Sequence, residues 1–459
     1  MTHDDKIVKI GGASGFWGDS AVGAEQLAQV PGMQYITFDY LAELTMSILA
    51  AAKARNPERG YATDFVEVAV RRNLATCMAR GIRLISNAGG INPHACARAV
   101  QQLAAEQGLD VKVAVVDGDD VLDMLPVLRE RGYTDFYSGA AMPERLVSAN
   151  AYLGALPIQR ALNAGADVVI TGRVVDSAVV LGVLMHEFGW QATDYDRLAA
   201  GSLAGHIIEC GCQATGGLHT DWQDVPGWAN MGYPVIGCRA DGSFTVGKPQ
   251  NTGGLVSAPV VAEQMLYEIG DPANYVLPDV VCDFTAVSVT QAGDDRVEVR
   301  GARGKPPTDQ YKVSATYADG FRCIGTLSIV GFDAAAKARR SGEAIIERTR
   351  AMFAAEGLQD YSGVCINVLG TEELYGPHAQ PHDLREAIMR VAVRHPQKAA
   401  LEIFSREIAP AGTSWAPGTT GSLGGGRPAV SPLVRLFSFL LPKADVTPRL
   451  TVNGETVNL

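Results

Sequence analysis

The sequence predicts an α/β fold. A Rossmann-like, mostly parallel sheet is expected in an N-terminal domain of residues 1–230, followed by an α+β domain of residues 231–459 with antiparallel strands. Three observations carry this reading. Short, almost wholly apolar runs alternate with stretches of helical period over the first half, as strands covered on both faces require. Several of these runs stop at glycine-containing loops. Near residue 231 the texture changes to alternating runs around Asp-Gly pairs, a strong short-range hairpin signal.

Taken in order, Lys6–Ile10 is a strand ending at Gly11-Gly12, and a helix starts near Asp19. Tyr35–Phe38 resumes as strand, while Leu41–Ala54 and Phe65–Arg80 carry apolar residues at helical spacing. Arg83–Ser86 is a strand that stops at Asn87-Ala88-Gly89-Gly90, and Asn92-Pro93 marks the next helix start. Val111–Val116 ends at Asp117-Gly118-Asp119; Ala166–Ile170 ends at Thr171-Gly172-Arg173, with a helix from Ser177. The carboxyl ends of parallel strands share one edge, where ligands bind, so these four loops should converge on one pocket. Further on, Asp241-Gly242 and Asp319-Gly320 read as hairpin turns. Val287–Val289, Val297–Arg300, Val313–Tyr317 and Cys323–Val330 read as antiparallel strands. Helices are expected at Ala334–Ala355 and Leu384–His395, and Ala411–Pro428 as loop.

Composition narrows the function. Fifty glycines in 459 residues are about 11%, above the ordinary ~7%, with no collagen period and ample aliphatic residues. The surplus belongs in tight turns or where backbone approaches something closely. With 39 Lys+Arg against 50 Asp+Glu the net charge is −11, and no Lys/Arg run interrupts the sequence. Nucleic acid and anionic membrane surfaces are therefore poor partners. No apolar run approaches the ~20 residues of a spanning helix, and the polar Met1–Asp5 start lacks a signal peptide's pattern, so a cytoplasmic location is expected. Eight scattered cysteines read as reduced thiols rather than a disulfide framework.

Several segments together resemble the acyclic terpene utilisation (AtuA) family. They are Gly11–Asp19, Phe38–Glu43, Ser86–Gly90, Gly165–Ser177, Ala204–Gly211 and Tyr275–Val280. The resemblance implies a role in bacterial breakdown of citronellol- and geraniol-type terpenes, or beside enzymes of branched unsaturated acids such as mesaconate. Longer members carry a C-terminal ferredoxin-like domain. This chain resembles the form without it, for which a small ferredoxin-like partner subunit is the expectation.

The motifs suggest chemistry at the strand ends. Gly12-x-x-Gly15-x-x-Gly18, with Ser14 and Asp19, suits an anion at a helix N-terminus or a purely structural turn. Its spacing is not G-x-G-x-x-G, and Asp39 lies 27 residues beyond Gly12, so a dinucleotide is a weaker reading. Asn87, Gly89 and Gly90 close the same edge, as do Thr171 and Gly172. Arg173 can grip a carboxylate or phosphate with its fork, and Asp176 is either a general base, a helix cap or the arginine's partner. His206 and Glu209, three apart, fit one helix face as an acid–base pair or as a satisfied buried pair, and with Cys210, Cys212 and His219 they form a reduced structural cluster or, in no standard zinc spacing, a metal site. Asp117, Asp119 and Asp120 invite a divalent metal such as Mg²⁺, or a helix cap at Asp119; no cofactor is otherwise indicated. The Gly418–Arg427 run, including Gly421, is a lid or a plain connection.

The expectation is a catabolic enzyme, a hydratase or dehydratase of a branched α,β-unsaturated carboxylic acid or its CoA thioester. Asp176, Glu209 or His206 would move the proton, and Arg173 would stabilise the enolate-like charge. A ligand-binding subunit that needs its partner, and a dinucleotide-dependent oxidoreductase, are the alternatives. A homo-oligomer is the expected assembly.

Overall fold

The central strands form where apolar runs leave no polar face, and the computed structural model describes residues 6–380 and 383–458 of the chain. The Met1–Asp5 segment read above for targeting lies outside the described residues. In chain order the first strands are β1 (Val8–Gly12), β2 (Tyr35–Phe38), β3 (Arg83–Ser86), β4 (Val113–Asp117), β5 (Ser148–Ala151) and β6 (Val168–Thr171). The helices among and after them are α1 (Val22–Ala28), α2 (Glu43–Arg55), α3 (Arg71–Ala79), α4 (Pro93–Glu106), α5 (Leu125–Glu130), α6 (Leu156–Asn163), α7 (Ala178–Phe188) and α8 (Tyr195–Glu209). A π-helical stretch at Phe65–Val70 leads into α3.

The second half supplies β7 (Val235–Cys238), β8 (Phe244–Gly247), α9 (Ala258–Leu266), β9 (Tyr275–Val276), β10 (Val281–Asp283), β11 (Ser288–Gly293), β12 (Arg296–Arg300), β13 (Arg303–Lys305) and β14 (Gln310–Val330). It continues with α10 (Ala334–Ala355), β15 (Gly363–Leu369), β16 (Glu386–His395), α11 (Lys398–Ser414), β17 (Thr419–Gly421), β18 (Ser431–Pro442), β19 (Arg449–Val452) and β20 (Glu455–Val457).

By compactness the chain divides into one unit of residues 1–316 with 436–459 and a second of residues 317–435. The first unit is built on a sheet of eleven described strands in the order β11-β12-β8-β7-β1-β2-β3-β6-β4-β19-β20. Its centre, from β1 through β4, is parallel, whereas β7 pairs antiparallel with β1, and β19 with β4. The sheet is therefore mixed. The change of texture near residue 231 is real, but β7 and β8 extend the same sheet instead of opening a new one.

Both faces of the parallel centre are buried. Ile36, Phe38, Leu84, Val113, Val115 and Ile170 join the cluster under α1, α3 and α4. The alternate positions, among them Ile85, Ala114, Val116 and Val169, are also inaccessible, on the side where α6, α7 and α8 pack against one another and the sheet.

The second unit packs α10 and α11 through one apolar cluster with β15, β16 and the later part of β14. Three expectations fail here, in whole or in part. Glu386–His395, within the segment expected as helix, is strand: Ala387, Met389, Val391, Val393 and His395 are buried in strict alternation, and β14 and β15 flank it on both sides. Tertiary pairing overrode an ambiguous pattern. The Asp319-Gly320 pair is no hairpin either. β14 runs straight through it, pairing with β5 over Val313–Thr316 and with β16 from Phe321 onward. Gly320 has φ of +79°, and a side chain there would press the His395 carbonyl oxygen at 2.7 Å. The loop expected from Ala411 begins only after α11 ends at Ser414, and the brief strand β17 interrupts it.

Phe65 anchors the larger cluster, fully buried and edge-on to Phe38 at 5.2 Å between ring centroids. Phe65→Ala should lower the unfolding free energy by about 3–5 kcal/mol, read as a drop in the urea midpoint with unchanged slope.

Candidate active site

Beyond the carboxyl ends of β1, β2 and β6 lies a cavity of about 960 Å³, lined entirely by residues of the first unit. Arg173, two residues past β6, is 3% exposed. Its backbone N–H donates to Asp119 Oδ2 at 2.8 Å, and its Nη1 donates to Asp176 Oδ1 at 2.5 Å and to the Val174 carbonyl at 3.2 Å. The guanidinium lies over the Tyr152 ring, 4.2 Å from its centroid, and Tyr152 O–H donates to Glu43 Oε1 at 2.5 Å. Both side-chain bonds to carbonyl and carboxylate oxygens come from Nη1, and Tyr152 is a further side-chain partner, so among the described residues Nε and Nη2 hold no carboxylate or carbonyl and can take a ligand oxygen.

α8 delivers the second group. It lies close against Ser177, because Gly205 has no Cβ; one there would sit 2.7 Å from the Ser177 carbonyl oxygen. At its last turn His206 and Glu209 share a hydrogen bond of 2.8 Å between Nδ1 and Oε1. Both side chains are more than nine-tenths buried, and His206 Nε2 has no partner among the described residues. Burial pushes the Glu209 carboxyl up to about 7 against the pull of His206. Burial pulls the imidazole down, but the charge and hydrogen bond of Glu209 outweigh it and hold His206 above its ordinary value. Such a pair holds a proton near neutrality.

Asp39, just past β2, adds a third acid. Burial, then the charge of Asp176, holds its carboxyl well above the usual range, although Asn87 Nδ2 donates to it at 2.6 Å. Around the wall stand six carboxyl groups, Asp19, Asp39, Glu43, Asp176, Glu209 and Glu268, against Arg173, Lys312 and His206. No group of three or more His, Cys, Asp or Glu among the described residues is arranged to hold a metal. Asp117, Asp119 and Asp120 turn to separate partners. Asp117 takes His94 and Arg449, Asp119 takes Arg173 and Asn150, and Asp120 caps Leu122.

Of the residues singled out in the sequence, Arg173, Asp176, His206, Glu209, Gly15 and Asp19 line this cavity. Gly12, Ser14, Gly18, Asn87, Gly89, Gly90, Thr171 and Gly172 do not, and Gly421 belongs to the second unit. The glycines serve the chain's own close approaches: a Cβ on Gly12 would lie 2.4 Å from the Ile208 carbonyl oxygen, and one on Gly172 2.2 Å from Asp119 Oδ1. Nor is the first loop an open anion cradle. Gly15 N–H donates to Asp19 Oδ2 at 2.9 Å, and Gly12 and Ala13 N–H donate to backbone carbonyls. The helix that follows has only seven residues. Asp176 does not cap α7, whose N-cap is Ser177.

Two contributors carried no sequence signal of their own, Tyr152 under Arg173 and Lys312 beside Glu43, while Tyr275, its ring centroid 6.1 Å from that of His206, was marked only as part of a family-like segment. Asp119 was legible only as a cap or metal ligand.

Titratable groups and a buried arginine thus share one cavity at the carboxyl edge of the parallel centre of the sheet. The chain belongs to the acyclic terpene utilisation AtuA family, whose model matches residues 8–452. Involvement in acyclic terpene utilisation follows from that membership. No curated protein and no solved structure matches the chain. No helix among the described residues is long and apolar enough to cross a membrane.

Burial lifts the fully enclosed Asp119 carboxyl to about 7, above the ordinary ~4. A carboxyl raised in the folded state favours folding while protonated. That contribution is complete below about pH 4 and is lost as pH climbs through about 7. Denaturation midpoints should therefore fall between about pH 5 and 8, and Asp119→Asn should flatten that dependence.

Proposed function

We propose that the protein is a catabolic hydro-lyase that adds water to, or removes it from, a branched α,β-unsaturated carboxylic acid or its CoA thioester. The observation that carries this reading is the buried Glu209–His206 pair, with an unpartnered Nε2, sharing one cavity with the free half of Arg173.

In the hydration direction, His206, backed by Glu209, takes a proton from water as its oxygen bonds to the β-carbon. Electron density moves to the carboxyl or thioester oxygen, where the free N–H groups of Arg173 meet it. Asp39, a neutral acid, then gives a proton to the α-carbon, so one water is added, and the imidazolium returns its proton to the Asp39 carboxylate to close the cycle. Carboxyls that stay protonated near neutrality suit this second step, and they also reduce the repulsion an anionic substrate would meet on so acidic a wall. Exposed Phe16, Phe136, Val276 and Leu440 at the same cavity suit a branched apolar chain.

A panel of methyl-branched unsaturated acids and their CoA thioesters, incubated with the protein with and without a small ferredoxin-like subunit, should yield a product heavier by one water. His206→Ala and Glu209→Gln should each lower turnover about 10²–10⁴-fold. Arg173→Lys should raise KM and lower kcat together, because a point charge cannot replace the fork. Binding of these acids without any gain or loss of water would overturn the assignment.

A further inference from the structure

A second cavity, of about 560 Å³, lies in the first unit and shares no lining residue with the first. Arg197 in the first turn of α8, Arg239 at the end of β7, Arg300 at the end of β12 and Arg303 at the start of β13 converge on it. Three acids share the lining, Asp196, Asp241 and Glu298, so the cavity carries an excess of one positive charge in a protein of net −11.

Each of the four arginines has a carboxylate within 4.0 Å, but these pairs leave most of the guanidinium donors without a hydrogen bond. Asp241 Oδ1 accepts from Ser243 N–H at 2.9 Å and from Ser243 Oγ at 2.7 Å. Asp196 accepts from Gly304 N–H at 2.9 Å and from Arg303 Nη1 at 3.1 Å. Glu298 holds Arg300 Nη2 at 2.7 Å, whereas its distance to Arg239 Nη1, 3.9 Å, is too long for a hydrogen bond. Arg197 Nη1 is likewise 3.6 Å from Asp194. Each guanidinium carries five donors in a rigid fork matched to phosphate geometry, so most of the donors around this cavity are unspoken for. The first turn of the fifteen-residue α8, through Asp196 and Arg197, lines the same cavity.

We propose that this cavity binds the phosphate groups of a small phosphorylated molecule, with Arg239 and Arg300 as its principal grips and Glu298 as the internal competitor that the ligand displaces. A diphosphate fits better than a single phosphate, because guanidiniums arriving from three separate segments can each take a different oxygen.

Inorganic pyrophosphate and a nucleoside diphosphate, titrated calorimetrically into the whole protein at low salt, test this. Saturable binding is expected, with pyrophosphate alone sufficing if the phosphates carry the recognition. The double variant Arg239→Ala/Arg300→Ala should weaken it at least about tenfold, and Glu298→Gln should tighten it. These opposite directions cannot both come from a damaged fold. Absence of saturable binding at millimolar ligand, or equal affinity in all three proteins, would overturn the proposal. Neither readout depends on the acid–base cavity.

Discussion

The carboxyl group of Asp119 holds the edge that carries the candidate site together. Its Oδ2 accepts from the Arg173 backbone just past β6 and from the Asn150 side chain on β5, while its own carbonyl accepts from Ala151 N–H. One buried acid thus ties together the chain after β4, the strand β5 and the loop that carries Arg173. The same contact explains Gly172: no other residue leaves room for a carboxyl oxygen at that distance. Remove the tie and the guanidinium loses the backbone position from which it faces Tyr152 on one side and Asp176 on the other. An unpaired buried polar group would be left as well, and such a group costs about 1–3 kcal/mol.

The site is also a study in crowding of like charge. Burial, with the charge of Asp176 close by, raises the proton affinity of Asp39 and Glu209. A solvent-exposed pair would ionise fully at neutral pH and do little. Enclosed together with a single buried guanidinium, they retain protons where a reaction needs them. The acidity of the sequence as a whole says nothing of this, since composition does not distinguish a solvated carboxylate from a buried one.

Much of the architecture was legible because burial on both faces leaves a plain mark. Tyr35–Phe38 and Arg83–Ser86 match their strands, and Ala334–Ala355 its helix, residue for residue. Arg173, Asp176, His206 and Glu209 were readable from their residue types beside strand ends and on one helix face. What sequence could not disclose depends on partners far along the chain. Glu386–His395 is strand because two neighbours flank it, and Tyr152 matters because Arg173 lies over it. The glycine loops misled for the same reason: a glycine is required wherever backbone comes close, and the close neighbour here is the protein itself. The arginines of the second cavity, at 197, 239, 300 and 303, form no run in the sequence, yet the fold brings them together.

The strand order has a consequence for the order of assembly. The second unit is one uninterrupted segment, residues 317–435, whereas the first is completed by residues 436–459. During synthesis the second unit has all its residues before the first does. Until β19 is made, β4 presents an unpaired edge of bare N–H and C=O groups next to the loop that carries Asp119. The nascent first unit therefore has a sticky flank for as long as the ribosome takes to translate more than a hundred further residues, a window in which a chaperone, or a second nascent chain, finds its simplest handle.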